Sequence, residues 1–86
     1  MNEKTGTILR TMIARHIIGE KHLPEMRLMK RITHLPKNEQ NAIRADWEYC
    51  IKQLQWVLRM KKTGEWHVSL NPKKLSEVEH AIKNGE

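Results

Sequence analysis

The sequence predicts a mainly α domain carrying one β-hairpin, and three features of the chain lead there. Apolar residues recur at spacings of three and four along three separate segments, the mark of amphipathic helices. After Leu54 the period drops to two and stays there for about fifteen residues, which is strand spacing. Proline, glycine and asparagine fall between these stretches and punctuate them. At 86 residues the chain is expected to form a single domain, 1–86. A domain this small buries only about 60–65% of the surface of its unfolded chain, so three Trp, five Met and a set of Ile and Leu must supply most of the core.

The first helix is expected from about Lys4 to Ile18. Thr5 can cap it, Leu9, Met12, Ile13, His16 and Ile17 form its stripe, and Gly19 is a natural stop. Pro24 suits the first position of a second helix running to Ile32, with Leu28, Met29 and Ile32 inward and Arg27, Lys30 and Arg31 outward. Pro36 ends it by disfavouring a helical Leu35, so Thr33 to Lys37 reads as a tight turn. Asn38 caps a third helix, 38–54, whose stripe is Ile43, Trp47, Cys50, Ile51 and Leu54. Its outward face carries Lys37, Gln40, Asn41, Arg44, Glu48 and Lys52.

The hairpin is expected over 56–70, turning at Lys61-Lys62-Thr63-Gly64. Trp56, Leu58 and Met60 would share its apolar face with Trp66, Val68 and Leu70. Asn71-Pro72 opens a short last helix with Leu75, Val78 and Ile82 buried, and Asn84-Gly85 ends it.

The net charge is +6 and the pI about 9.8, which in so small a domain points to a polyanionic partner. Between Met26 and Lys74 eleven basic residues face four acids, while the flanks hold five basic and six acidic residues. The excess therefore sits on the middle of the chain and the hairpin. Cys50 is the single cysteine, so no intrachain disulfide is available and a reducing cytoplasm is the expected compartment. No apolar run reaches the ~18–20 residues of a membrane span, and no basic-then-apolar leader opens the chain. The histidines show no zinc-site spacing, glycine-rich phosphate loops and paired-carboxylate motifs are absent, and Cys50 lies in a buried stripe. No metal, cofactor, small-molecule ligand or catalytic set is expected, and the chain reads as a binding protein rather than an enzyme.

In their order, LPEMRLMKRI, THLPK and NEQNAIRADWEYCIKQL followed by WVLRMKKTGEWHVSL resemble the winged helix-turn-helix superfamily, over nearly the whole chain. The resemblance implies three helices, a two-stranded wing and a short C-terminal helix. It implies a sequence-specific double-stranded DNA-binding protein acting in transcription regulation, with helix 38–54 in the major groove and hairpin 56–70 as the wing. Arg44 would then contact guanine, and Asn38, Gln40 or Asn41 adenine. Arg59, Lys61 and Lys62 at the hairpin tip, Arg27, Lys30 and Arg31 beside the groove, and Lys37, Lys73 and Lys74 at helix starts would hold phosphates. A homodimer is one expected assembly, meeting through Ile8, Ile18 and the last helix, and Tyr49 is a further candidate contact. Two alternatives stay open: a protein-interaction module on the same scaffold within a larger assembly, and a structured-RNA binder.

Overall fold

The computed structural model describes residues 1–84, and its element order follows from a few local decisions of the chain. Helix α1 (Glu3–Ala14) starts at Asn2, whose side chain accepts from the Lys4 amide at 2.8 Å. Thr5, the expected cap, is fully buried one turn inside. The helix stops four residues before the expected Ile18. His16 takes a left-handed φ of 56°, its amide bonds to the Ile13 carbonyl, and the Ile17 amide reaches back to the Met12 carbonyl at 2.9 Å. That pair of bonds is a Schellman closure with histidine where glycine is usual. It turns buried Ile17 back toward buried Met12 and leaves His16 exposed instead of packed on the stripe.

Leu23–Pro24 forms β1, a two-residue strand that the sequence did not announce. Pro24 therefore precedes α2 (Glu25–Met29) instead of opening it. A 3-10 turn, Lys30–Ile32, continues α2 to the tight turn at Thr33–Pro36. Helix α3 (Lys37–Lys52) begins just after Pro36, one residue before Asn38, and ends two residues before Leu54. No side chain caps it; instead the Gln40 side-chain amide ties the helix to the preceding turn, donating to the carbonyls of Thr33 and Leu35 at 3.3 and 2.8 Å. Gln55, with φ 57°, turns the chain into the sheet.

Strands β2 (Val57–Lys62) and β3 (Glu65–Leu70) form the hairpin. With β1 they make a three-stranded antiparallel sheet in the order β1-β3-β2, not the isolated two-stranded wing expected. A last 3-10 turn (Pro72–Lys74) leads into α4 (Leu75–Lys83), and the Asn84 side chain donates to the His80 carbonyl at its end. Gly85, expected to help end this helix, lies outside the described residues. The fold is thus a small α/β domain of four helices and one three-stranded antiparallel sheet. Among the described residues no helix is long and apolar enough to cross a membrane.

One core gathers all these elements. Leu9 and Met12 of α1, Leu28 and Ile32, Ile43 and Trp47 of α3, Val57, Val68 and Leu70 of the sheet, and Val78 of α4 are all essentially inaccessible. Ile8 is buried with them, which removes it from the expected dimer surface.

The hairpin register corrects the expected apolar face. Val57 pairs with Leu70, Arg59 with Val68 and Lys61 with Trp66, and residues directly opposite one another share a face. The inward face of β2 is therefore Val57, Arg59 and Lys61, while Leu58 and Met60 point the other way. A one-residue slip exchanges every side chain across the sheet. The cause is the turn, in which Thr63 and Gly64 (φ 47° and 82°) alone make the loop, as in a type I′ hairpin. The helices cover the inward face only as far as Val68, so Trp66, expected in the core, is 48% exposed. His22 and His67 meet across 45 residues. Their Nδ1 atoms lie 2.8 Å apart, one donating and one accepting.

Thr63 is the costly residue of that turn, because a β-branched side chain is poorly suited to the left-handed region. Thr63→Asn should stabilise the protein by about 0.5–1 kcal/mol, raising Tm by roughly 2–8 °C in a domain of this size. Thermal unfolding followed by circular dichroism measures it, and an unchanged or lowered Tm would contradict the strain.

Candidate nucleic-acid interface

Facing inward from β2 and largely withdrawn from water, Arg59 needs side chains to meet its charge. Glu25 at the start of α2 and Glu48 of α3 meet it. Its Nη2 donates to Glu25 Oε2 at 2.6 Å and to Glu48 Oε2, and its Nη1 donates to Glu48 Oε1 at 3.1 Å. Glu25 Oε2 also accepts from the indole nitrogen of buried Trp47 at 2.6 Å. Charge-assisted bonds of this kind are short and strong. Only 20% of the Arg59 side chain and 14% of the Glu25 side chain reach solvent. Truncating one partner would strand a largely desolvated charge, at about 2–3 kcal/mol, between exposed and fully buried pairs.

The hydrogen bond from Arg59 holds the Glu48 carboxyl below its ordinary pKa, against a smaller opposing effect of burial. The same contact, with that to Glu25, raises Arg59 further. Lys52 adds a weaker, exposed contact to Glu48 at 3.5 Å.

Above this cluster opens a groove of about 500 Å³ between α2, α3 and the hairpin. Met26, Met29 and the two indoles of Trp47 and Trp66 form its apolar walls, Lys30 and Arg44 stand among its cations, and Gly64 and Glu65 close the hairpin side. The Lys61 ammonium lies 5.0 Å from the centre of the Trp66 ring and the Arg59 guanidinium 5.8 Å from it, both within cation–π range.

Of the basic and amide residues expected to bind nucleic acid, Lys30 and Arg44 line this groove, and Lys61 lies against its Trp66 wall. Lys37, Asn41 and Arg44 follow one another at helical spacing on the exposed face of α3, with Asn38 exposed beside them. Lys62 is exposed at the last position of β2, on the opposite face of the hairpin from Lys61. Arg27 and Arg31 are exposed but do not line the groove. Two expectations change. Arg59 sits in the ion-pair cluster and not at the hairpin tip. Gln40 is half-buried, with its amide spent on the turn before α3.

Trp66, Glu25, Glu48 and Met26 were missed as groove residues. The signal for Trp66 was present in Thr63-Gly64: a two-residue turn there fixes Lys61 opposite Trp66. Cys50 is buried and its thiol is pushed up to about 11, chiefly by desolvation, as an inert core cysteine would be. No group of three or more histidine, cysteine or acidic side chains placed to hold a metal occurs among the described residues. Comparison of the chain with family models, curated proteins and solved structures returned no match, so the reading of this site rests on its own residues.

Because the pKa of Glu48 is depressed in the folded state, its contribution to stability is present above its ordinary 4.5 and is lost as pH falls through the lowered value. In urea unfolding from pH 7 to 3, wild type should exceed Glu48→Gln at neutral pH, and the gap should close below about 4.5. A gap that stays constant with pH would contradict the ion pair.

Proposed function

We propose that the chain is a double-stranded DNA-binding protein of winged-helix type, acting in transcription regulation, with α3 (Lys37–Lys52) as the recognition helix and the β2–β3 hairpin as the wing. The observation that carries this reading is a shared groove: Arg44 of α3 and Gly64–Trp66 of the hairpin stand on opposite sides of it, with Lys30 beside them. A helix face and a hairpin end presented together are what a duplex needs to meet major groove and backbone at once. The order α1-β1-α2-α3-β2-β3 supports the same reading, as does the packing of α3 against β2 of the hairpin.

Roles follow from position. Arg44 and Asn41, exposed in the first half of α3, are the base-reading residues, with Asn38 ahead of them. Lys37, Lys30, Lys61 and Lys62 hold phosphates, with Arg27 and Arg31 at the flank. The acids that would repel a polyanion at the groove, Glu25 and Glu48, are neutralised by Arg59 and Lys52. In this reading the protein binds without catalysing and works in the cytoplasm. The exposed Met26 (70%) and Trp66 also favour a second reading, a protein docking in the groove.

Labelled random-sequence duplex titrated at several salt concentrations separates the two. With about five phosphate contacts, log K should fall against log salt with a slope near −4.5. Lys61→Ala/Lys62→Ala should make that slope shallower by about 1–2. Arg44→Ala should weaken binding to a selected site by about 1–3 kcal/mol. A flat salt response, or no binding at low salt, would contradict DNA binding and favour the protein partner.

A further inference from the structure

Trp66 is placed unlike the other two indoles. Trp47 and Trp56 are buried, with their ring nitrogens donating to Glu25 and Glu77, whereas half of the Trp66 side chain faces solvent at the mouth of the groove. Nothing in the core requires a large aromatic there, because the inward packing of β3 ends at Val68. An exposed indole set between cations is the arrangement by which nucleic-acid-binding proteins stack an unpaired base.

The chemistry inside the groove says which part of a nucleotide fits. Glu25 and Glu48, already paired with Arg59 and Lys52, offer a phosphate no donor. Each carboxylate, however, has about four lone-pair sites and uses only some of them on Arg59, Trp47 and Lys52. Carboxylates accept from the exocyclic amines of cytosine, adenine and guanine. The walls of Met26, Met29 and Trp66 offer flat apolar contact for a ring. The phosphate-holding cations stand close by, with Lys30 at the groove and Lys61 against the indole. A volume of about 500 Å³ lies in the range of small-molecule sites and accommodates one nucleotide.

We infer that the groove between α3 and the hairpin seats one unpaired nucleobase bearing an exocyclic amine, stacked on Trp66, with its amine directed to the Glu25–Glu48 pair. This rests on the nucleic-acid reading of the same site and goes beyond it: the preferred partner is a duplex with an unpaired nucleotide at its end, not a fully paired one. Trp66 is the stacking residue, and Glu25 and Glu48 set the preference among bases.

The test compares three labelled probes sharing one duplex: blunt, extended by two unpaired cytidines, and extended by two unpaired thymidines. Each extension is made on the 3′ and on the 5′ side. Cytidine extension should tighten binding by about 5- to 150-fold, the range of one stacked base. Thymidine, which stacks but lacks the amine, should gain less than cytidine. The gain, read as the ratio of extended to blunt affinity of the same variant, should vanish in Trp66→Ala and largely survive in Trp66→Phe. Trp66 fluorescence, read against Trp66→Phe as background, should change more with the cytidine-extended probe than with the blunt duplex. Equal binding of blunt and extended probes, or a gain that survives Trp66→Ala, would overturn the inference and leave duplex binding standing. Equal gains from thymidine and cytidine would overturn the role of the carboxylates. Failure to bind any probe at low salt would overturn both.

Discussion

A guanidinium that points into the molecule is the constraint on which the rest of this structure depends. Arg59 takes an inward position in β2, opposite buried Val68, where an aliphatic side chain would ordinarily complete the core. Its burial is tolerable because Glu25 and Glu48 arrive from α2 and α3 to balance its charge and bond Nη1 and Nη2, although its buried Nε finds no partner among the described residues. Three elements that share little backbone contact are thereby joined at one point. The ion pairs also end the apolar core at that level. Beyond them the inward face of the hairpin is left uncovered, and an open groove with a polar floor takes the place of packed side chains.

That arrangement resolves an electrostatic conflict in the composition. A surface proposed to meet a polyanion should avoid carboxylates, yet Glu25, Glu48 and Glu65 stand at the groove. Two of the three are drawn into pairs with Arg59, and Glu48 also with Lys52, so the field outside is set by Lys30, Arg44 and Lys61. In the proposed reading, long-range attraction of a negative strand and short-range acceptance of an amine coexist within one site. The first depends on net charge over roughly a Debye length, the second on lone pairs within hydrogen-bond reach.

Much of the architecture was legible in the sequence because periodicity survives burial. The inward stripe of α3 appears where Ile43, Trp47 and Cys50 predicted it, and the change of period after Leu54 marks the hairpin. What escaped was set by contacts distant in sequence. β1 is two residues long and exists because Leu23 and Pro24 lie beside Val68 and His67. Residues Ile17 to Gly19 leave the helical path because they bond to Leu70. The inward face of β2 was misread because Trp56, Leu58 and Met60 look more apolar than Val57, Arg59 and Lys61. The turn geometry, not hydrophobicity, decides between the two. Arg59 reads as a free cation until Glu25, 34 residues away, is brought to it. For the site, Lys30, Arg44 and Lys61 were recognisable from charge and position. Trp66 and the carboxylates became groove residues only once the register was known.

The most direct test of the groove as the nucleic-acid surface is amide shift mapping of the nitrogen-labelled protein during titration with a short duplex. The expected perturbations cluster at Lys30, in the first half of α3 around Asn41 and Arg44, and along the hairpin from Lys61 to Trp66, with the α1–α4 face around Ile13 and Glu79 unaffected. Perturbations centred on α1 and α4, or none at concentrations where a duplex is bound, would contradict the placement of the interface between α3 and the hairpin.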